Sequence, residues 1–288
     1  MFRYIAFSWS PLDNAQAQLA SGFEAALRGS GAWRMAFKPP GLRVYTCGHV
    51  DGINQVYPLA ANQGVILGRL FRREAAPESG SGHVELTASE AHHIIHSDGL
   101  ALIQQFWGRY VAFLPSWTGA ARVLRDPTGT LPCFRVEVHG VAIVFSRLED
   151  LVSLLGIDLP AVSWDAVAAH LVLRQLGGRE TLLDGLTQVL AGELIPMGSE
   201  RGTPQRLWSA VGFARGTASL GPTQATTVLR ETVTSCMRAW ASCYPRIMLR
   251  LSGGFDSAVL LGQLAAVCPP GALVCVNYHS PGSDSDER

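Results

Sequence analysis

The chain has 288 residues, 48% of them hydrophobic and 16% charged, with 23 basic side chains balanced by 23 acidic ones. That much apolar material is enough for one large or two ordinary domains, and the absence of net charge argues against a general nucleic-acid surface. No signal peptide and no apolar run of about 18 residues is present, so the expected location is the cytoplasm, with neither membrane nor nucleic acid as a partner. The six cysteines form no Cys-x-x-Cys pair, and several fall inside apolar runs; they are expected to be buried thiols.

In chain order, residues 2 to 7 read as a first strand. Asn14 to Leu27 reads as a helix, with Leu19, Phe23, Ala26 and Leu27 on one face. Short strands are predicted at Trp33–Phe37, Leu42–Thr46, Gln55–Leu59 and Gly64–Phe71, set apart by Gly, Pro, Asn and Asp. Thr87-Ala88-Ser89-Glu90 has capping-box spacing and should open a helix to His96. On that helix His92 and His96 could face one metal, but no carboxylate or cysteine accompanies them at ligand spacing, and surface histidines are the simpler reading. A second helix follows from Asp98-Gly99. Strands joined by tight turns are then expected over Trp107–Leu114, Ala121–Gly129, Leu131–Val136 and Ala142–Ser146, a helix at Trp164–Leu176 and a strand at Gly192–Pro196. Residues 197 to 223 thin into Gly, Ser, Thr, Arg and Pro and read as a linker, with Leu207-Trp208 as a short ordered piece against the first domain. Val228, Leu229, Val233, Cys236, Met237 and Trp240 recur at helical spacing, so a helix should bury Met237 and Trp240 beside the strand that follows.

That next stretch carries the chemistry. Ile247, Leu249 and Leu251 alternate as in a strand, Ser252-Gly253-Gly254-Phe255-Asp256-Ser257 interrupts them, and Ala258–Val267 resumes as a helix. After Cys268-Pro269-Pro270-Gly271 a second buried strand is expected at Ala272–Tyr278, completing a β-α-β unit. Residues without a Cβ let the backbone approach an oxyanion, and the free N–H groups of a first helical turn point at it. Ser252 and Ser257 add hydroxyl donors, and Asp256 offers a carboxylate to a hard cation bridging phosphate oxygens. No Gly-Lys-Ser/Thr follows the glycines, and Lys38 is the only lysine in the chain, which argues against a Walker loop.

The wording Ser-Gly-Gly-x-Asp-Ser resembles the pyrophosphate loop of the ATP-pyrophosphatase superfamily, whose members cleave ATP to AMP and pyrophosphate while activating a substrate as an adenylate. Upstream, Gly108-Arg109-Tyr110-Val111-Ala112-Phe113, then Leu124-Arg125-Asp126-Pro127-Thr128-Gly129-Thr130-Leu131-Pro132, then Phe145-Ser146 before a Glu149-Asp150-Leu151 helix, follow an order similar to the amino-terminal domain of asparagine-synthetase-like proteins. The two resemblances together imply an α/β fold. An α/β/β/α sandwich of the N-terminal-nucleophile (Ntn) glutaminase type would occupy residues 1–205, and residues 206–288 would begin a parallel α/β ATP-pyrophosphatase domain. The family's glutaminase nucleophile is a cysteine exposed by loss of the initiator methionine. Phe2 stands there in this sequence, so the resemblance implies the fold without the glutaminase chemistry.

Versions of the family lacking that cysteine include the lasso-peptide cyclases and the β-lactam synthetases. Gly68-Arg69-Leu70-Phe71-Arg72-Arg73, Trp107-Gly108-Arg109-Tyr110-Val111-Ala112-Phe113 and the Leu124–Pro132 phrase resemble the cyclase wording more closely than that of asparagine synthetase. The cyclase reading implies ATP and Mg²⁺ as cofactors, a precursor peptide as substrate, and a leader-peptide protease and leader-binding protein as companions. Ser252, Gly253, Gly254 and Ser257 would hold pyrophosphate, and Asp256 would hold the metal. Arg250 and Leu251 would line the nucleotide, with Val276 and Tyr278 near adenine at the carboxyl ends of the strands. An asparagine synthetase or β-lactam synthetase relative is the alternative within the family, and a non-catalytic binding module or inactive fragment the alternative outside it. Domains of this kind run on well past their first β-α-β unit. The 288-residue chain is therefore expected to hold no catalytic residue of its own and not to complete amide formation by itself.

Overall fold

The computed structural model describes residues 1–59, 62–73, 84–115, 121–173, 178–198, 203–216 and 220–278. They fall into two compact units, one formed by Met1–Arg73 with Val84–Arg215, the other beginning at Gly216. Among the described residues no helix is long and apolar enough to cross a membrane.

In the first unit the elements run β1 (Arg3–Ser8), α1 (Asn14–Gly29), β2 (Arg34–Phe37), β3 (Leu42–Cys47), β4 (Gln55–Pro58), β5 (Val65–Arg72), α2 (Ala88–His96), α3 (Leu100–Gln105), β6 (Phe106–Leu114), β7 (Arg122–Arg125), β8 (Phe134–Val138), β9 (Val141–Phe145), α4 (Leu148–Leu155), α5 (Trp164–Leu173), β10 (Thr187–Gln188), β11 (Glu193–Pro196), β12 (Gln205–Arg206) and α6 (Ala210–Arg215). The strands form two six-stranded antiparallel sheets, ordered β10-β8-β9-β1-β3-β2 and β12-β11-β7-β6-β5-β4.

Strand alternation sorts their side chains into three apolar layers. Tyr4, Ala6, Val44 and Val144 of the first sheet meet Val65, Leu67, Val111, Phe113 and Val123 of the second in a core between the sheets. On the outer face of the first sheet, Ile5, Phe7, Tyr45, Ile143 and Phe145 pack against Ala20, Phe23 and Leu27 of α1 and Leu151 of α4. The outer face of the second, with Ile66, Leu70, Tyr110, Ala112 and Leu124, is covered by Ala91, Ile94 and Ile95 of α2 and Ala101, Leu102 and Ile103 of α3. The result is helix, sheet, sheet, helix. Each large apolar side chain so buried contributes about 1.5–3 kcal/mol relative to exposure.

Several local readings are met in atomic detail. Glu90 N–H donates to Thr87 Oγ1 at 3.2 Å while Thr87 N–H donates to Glu90 Oε2 at 2.8 Å, so the capping box forms and starts α2. The Arg125-Asp126 pair is a loop clamp. Arg125 donates to the carbonyls of Leu131 at 3.0 Å, Val189 at 2.6 Å and Gly129, while buried Asp126 accepts from the N–H groups of Tyr110, Thr128 and Gly129 at 3.2, 2.7 and 3.0 Å. Leu207 and Trp208 donate from their backbones to the Gly192 carbonyl at 2.9 and 3.2 Å, and both side chains pack on the outer layer of the second sheet. The stretch read as a linker thus carries β12 and α6, which belong to the first unit.

The second unit contains α7 (Pro222–Ala241), β13 (Ile247–Arg250), α8 (Phe255–Val267) and β14 (Leu273–Val276). Its strands pair in parallel, Ile247 with Leu273 through Arg250 with Val276. Three expectations need correction here. α7 lies against α8, with Thr234 Oγ1 donating to Gln263 Oε1, and Met237 and Trp240 are half-buried where full burial was expected. β14 is not a buried strand, because two strands and one crossover helix leave Val274 half exposed and Cys275 open. Only Cys133 and Cys243 among the six cysteines are buried.

Candidate functional site

The loop between β13 and α8 takes its shape from its two glycines. Gly253 has φ +72°, a left-handed conformation that strains any residue with a Cβ. Gly254 has extended backbone, φ −76° and ψ 157°, and serves as the N-cap of α8 without a side-chain cap. The N–H groups of Phe255, Asp256 and Ser257 in the first turn therefore have no intrahelical acceptor. A Cβ placed on Gly254 would meet only Ser252 Oγ, at 3.4 Å, which is ordinary contact. The packing of the chain itself does not require glycine there. What the missing side chain leaves open is access to the backbone.

The two serines converge. Ser257 Oγ lies 3.3 Å from both Ser252 N and Ser252 Oγ, and it donates to the Gly254 carbonyl at 2.9 Å, closing the turn on itself. Asp256 stands exposed in the first turn of α8, where the helix dipole favours a negative charge. β14 completes the surroundings. Leu251 N–H donates to the Val276 carbonyl at 2.9 Å, extending the ladder one step past β13. The guanidinium of Arg250 lies 5.3 Å from the ring centroid of Tyr278, which is largely exposed.

All the residues singled out in the sequence (Arg250, Leu251, Ser252, Gly253, Gly254, Asp256, Ser257, Val276 and Tyr278) thus gather at the carboxyl ends of two parallel strands. The Arg250–Tyr278 contact had no sequence signal of its own. It follows from the register, which pairs Arg250 with Val276 and so puts Tyr278 two residues further along on the same face. The acidic stretch after Tyr278 lies outside the described residues.

No family model and no curated protein matches this chain. Among solved structures, the allosteric regulatory enzyme of purine biosynthesis is similar over 98% of this chain and 67% of its own, at 12% sequence identity and a TM-score of 0.39. A superposition that loose leaves the molecule to be read from its own residues.

Fit to an oxyanion is favourable: an uncapped first turn, a glycine the packing does not demand, and two hydroxyls within reach of one point. Fit to Mg²⁺ is of the kind in which one carboxylate acts together with phosphate oxygens. Among the described residues no group of three or more His, Cys, Asp and Glu could hold a metal without a ligand's help.

At the other end of the chain, Phe2 is buried in the core between the sheets while Met1 stands exposed. The carbonyl of Met1 presses on Gly48, where a Cβ would come within 2.2 Å of it. Cys47, the nearest thiol in sequence, pairs with Arg3 across β1 and β3, and its Sγ accepts from Arg3 Nη2 at 3.5 Å on the opposite face of the sheet from Phe2. No nucleophile stands at position 2.

Proposed function

We propose that this chain belongs to an ATP-dependent, AMP-forming amide ligase of the asparagine-synthetase type, with the β13–α8 loop as its pyrophosphate cradle. The observation that supports this reading is the open backbone at Gly254, flanked by the Ser252 and Ser257 hydroxyls. Bound Mg²⁺ and ATP would supply the phosphoryl electrophile that turns a carboxylate into an acyl adenylate. The N–H groups of Phe255, Asp256 and Ser257 would hold the departing pyrophosphate, Asp256 would offer its carboxylate to the cation, and Arg250 and Tyr278 would flank the nucleotide. Catalysis of this type rests on positioning and charge neutralisation.

Phe2 supports a particular kind of acceptor. A sandwich with a phenyl ring at the nucleophile position supplies no ammonia from glutamine, so the amine must come from elsewhere. Macrolactam closure of a lasso-type precursor peptide, in which the peptide's own amino terminus captures its activated side-chain carboxylate, meets that requirement.

The test is ATP–pyrophosphate exchange and nucleotide binding by the chain with Mg²⁺ and a precursor peptide, in the native protein and in Asp256→Asn. Peptide-dependent exchange supports the ligase. Nucleotide binding equal in both proteins removes Asp256 from the site. Partner capture with no nucleotide binding favours a non-catalytic module. Ammonia release from glutamine, abolished by a thiol-alkylating reagent, would contradict the reading of Phe2.

A further inference from the structure

Helix α2 carries a pair of side chains that the proposed ligase chemistry does not use. Its start is fixed by the Thr87–Glu90 capping box, and Ala91, Ile94 and Ile95 are buried on the outer layer of the second sheet. With that side of the helix held inward, His92, His93 and His96 stand exposed on the other. Residues four apart on a helix lie one above the other, whereas neighbours in sequence point about 100° apart.

The three imidazoles separate accordingly. The rings of His92 and His96 meet, with centroids 4.0 Å apart and planes tilted by 51°. His93 turns toward α3, where its Nδ1 lies 3.2 Å from Gln105 Nε2. Two imidazoles thus share one exposed spot on a helix whose buried side keeps it in place.

Two imidazole nitrogens bound to one ion at about 2.0–2.1 Å are themselves about 3 Å apart. Rings that touch at 4.0 Å can offer nitrogens at that spacing by turning about their terminal torsions, which are soft, without any change of backbone. Each ring binds a metal through one nitrogen and keeps the other for a hydrogen bond. A neighbour that already holds the second nitrogen therefore orients the ligand and does not displace it. His96 is also the last residue of α2, at the negative end of the helix dipole, where a cation is favoured.

We propose that His92 and His96 form a surface chelate for one divalent transition ion of the zinc, nickel or copper class. Imidazole suits such ions, while Mg²⁺ prefers oxygen. No third His, Cys, Asp or Glu joins the pair among the described residues, so water completes the coordination. The ion would clamp the last turn of α2. The site is independent of the β13–α8 loop and stands whether or not that loop binds nucleotide.

The experiment is calorimetric titration of the full chain, folded and without an affinity tag, with nickel chloride or zinc chloride beside magnesium chloride. Thermal unfolding is the poorer readout, because thiols and imidazoles of the unfolded chain also take up such ions. The native protein should bind Ni²⁺ and Zn²⁺ and show no comparable binding of Mg²⁺. His92→Gln and His96→Gln should each weaken that binding about tenfold or more, because the second imidazole acts intramolecularly once the first has bound. Both positions are exposed, so both variants should fold. His93→Gln on the same helix, and Cys275→Ser at the exposed thiol of the second unit, should bind as the native protein does. The proposal is overturned if Ni²⁺ and Zn²⁺ bind no more tightly than Mg²⁺, or if either His92→Gln or His96→Gln binds like the native protein. It is equally overturned if His93→Gln or Cys275→Ser weakens binding as much as His96→Gln, which would place the ion elsewhere.

Discussion

Arg179 Nη2 donates to both carboxylate oxygens of Glu193, at 3.0 and 2.9 Å, and Glu193 also accepts the Leu190 N–H at 3.0 Å. The carboxylate is almost wholly buried and the guanidinium only partly exposed. This contact ties the return from α5 to the start of β11, in a region where α5 itself has no buried residue. Glu193→Ala leaves a backbone donor and a charged side chain without their acceptor, so it should lower the unfolding free energy by about 2–3 kcal/mol. Urea denaturation measures this. A loss under about 0.5 kcal/mol would show that the contact is surface-like.

The two loop glycines should respond oppositely to alanine. At Gly254 the added methyl finds ordinary contact with Ser252 Oγ at 3.4 Å, so Gly254→Ala should cost the fold under about 1 kcal/mol. Its effect should fall instead on Mg-ATP or pyrophosphate, about tenfold or more in affinity, because the methyl occupies the approach to the first-turn N–H groups. Gly253→Ala has to adopt φ +72° and should cost stability itself, about 1–2 kcal/mol. Calorimetry of ligand binding beside thermal unfolding separates the two. Equal nucleotide affinity in Gly254→Ala and the native protein would remove this turn from the phosphate site.

Glu90 gives the molecule an acid-sensitive contact. The Arg72 guanidinium, and beyond it the Thr87 backbone and hydroxyl, hold its carboxyl down at about 2 against the opposing effect of burial. A carboxyl depressed in the folded state contributes stability that is complete above its ordinary value and disappears as pH falls through the folded one. Glu90→Gln should therefore be less stable than the native protein at neutral pH, and the gap should close between pH 4.5 and about 2. Thermal unfolding across that range reads it. A gap that stays constant with pH would show that only the neutral capping geometry matters.

The thiols should label in the order of their surroundings. Burial pushes the Cys133 thiol up to about 12, and it lies wholly within the core between the sheets, whereas Cys275 on β14 is exposed. With iodoacetamide at neutral pH, peptide mapping should find Cys275 modified in the native protein and Cys133 modified only after unfolding. Modification of Cys133 at the same rate as Cys275 would mean that the two sheets of the first unit separate under native conditions.

What the sequence by itself determined was local. The strand–loop–helix around Ser252-Gly253-Gly254-Phe255-Asp256-Ser257, the Thr87–Glu90 capping box and most strands of the first unit were legible, because each is set by neighbours within a turn or two of chain: alternation, caps, and glycines where φ turns positive. The resemblance that suggested a two-layered sheet sandwich rested on short phrases, and in Arg125-Asp126 such a phrase has a structural task, since its side chains secure six backbone groups of the surrounding loops. Only the tertiary structure decided the rest. Which strands pair, and in what register, places Arg69 opposite Arg109, brings Tyr278 to Arg250 and turns Cys47 away from the face that buries Phe2. A one-residue shift of register would have reversed each of these, and no window of sequence contains the partner strand. Burial is likewise a property of the whole. β14 reads as a core strand from its composition, and it is exposed because a two-stranded parallel sheet has too few neighbours to cover it.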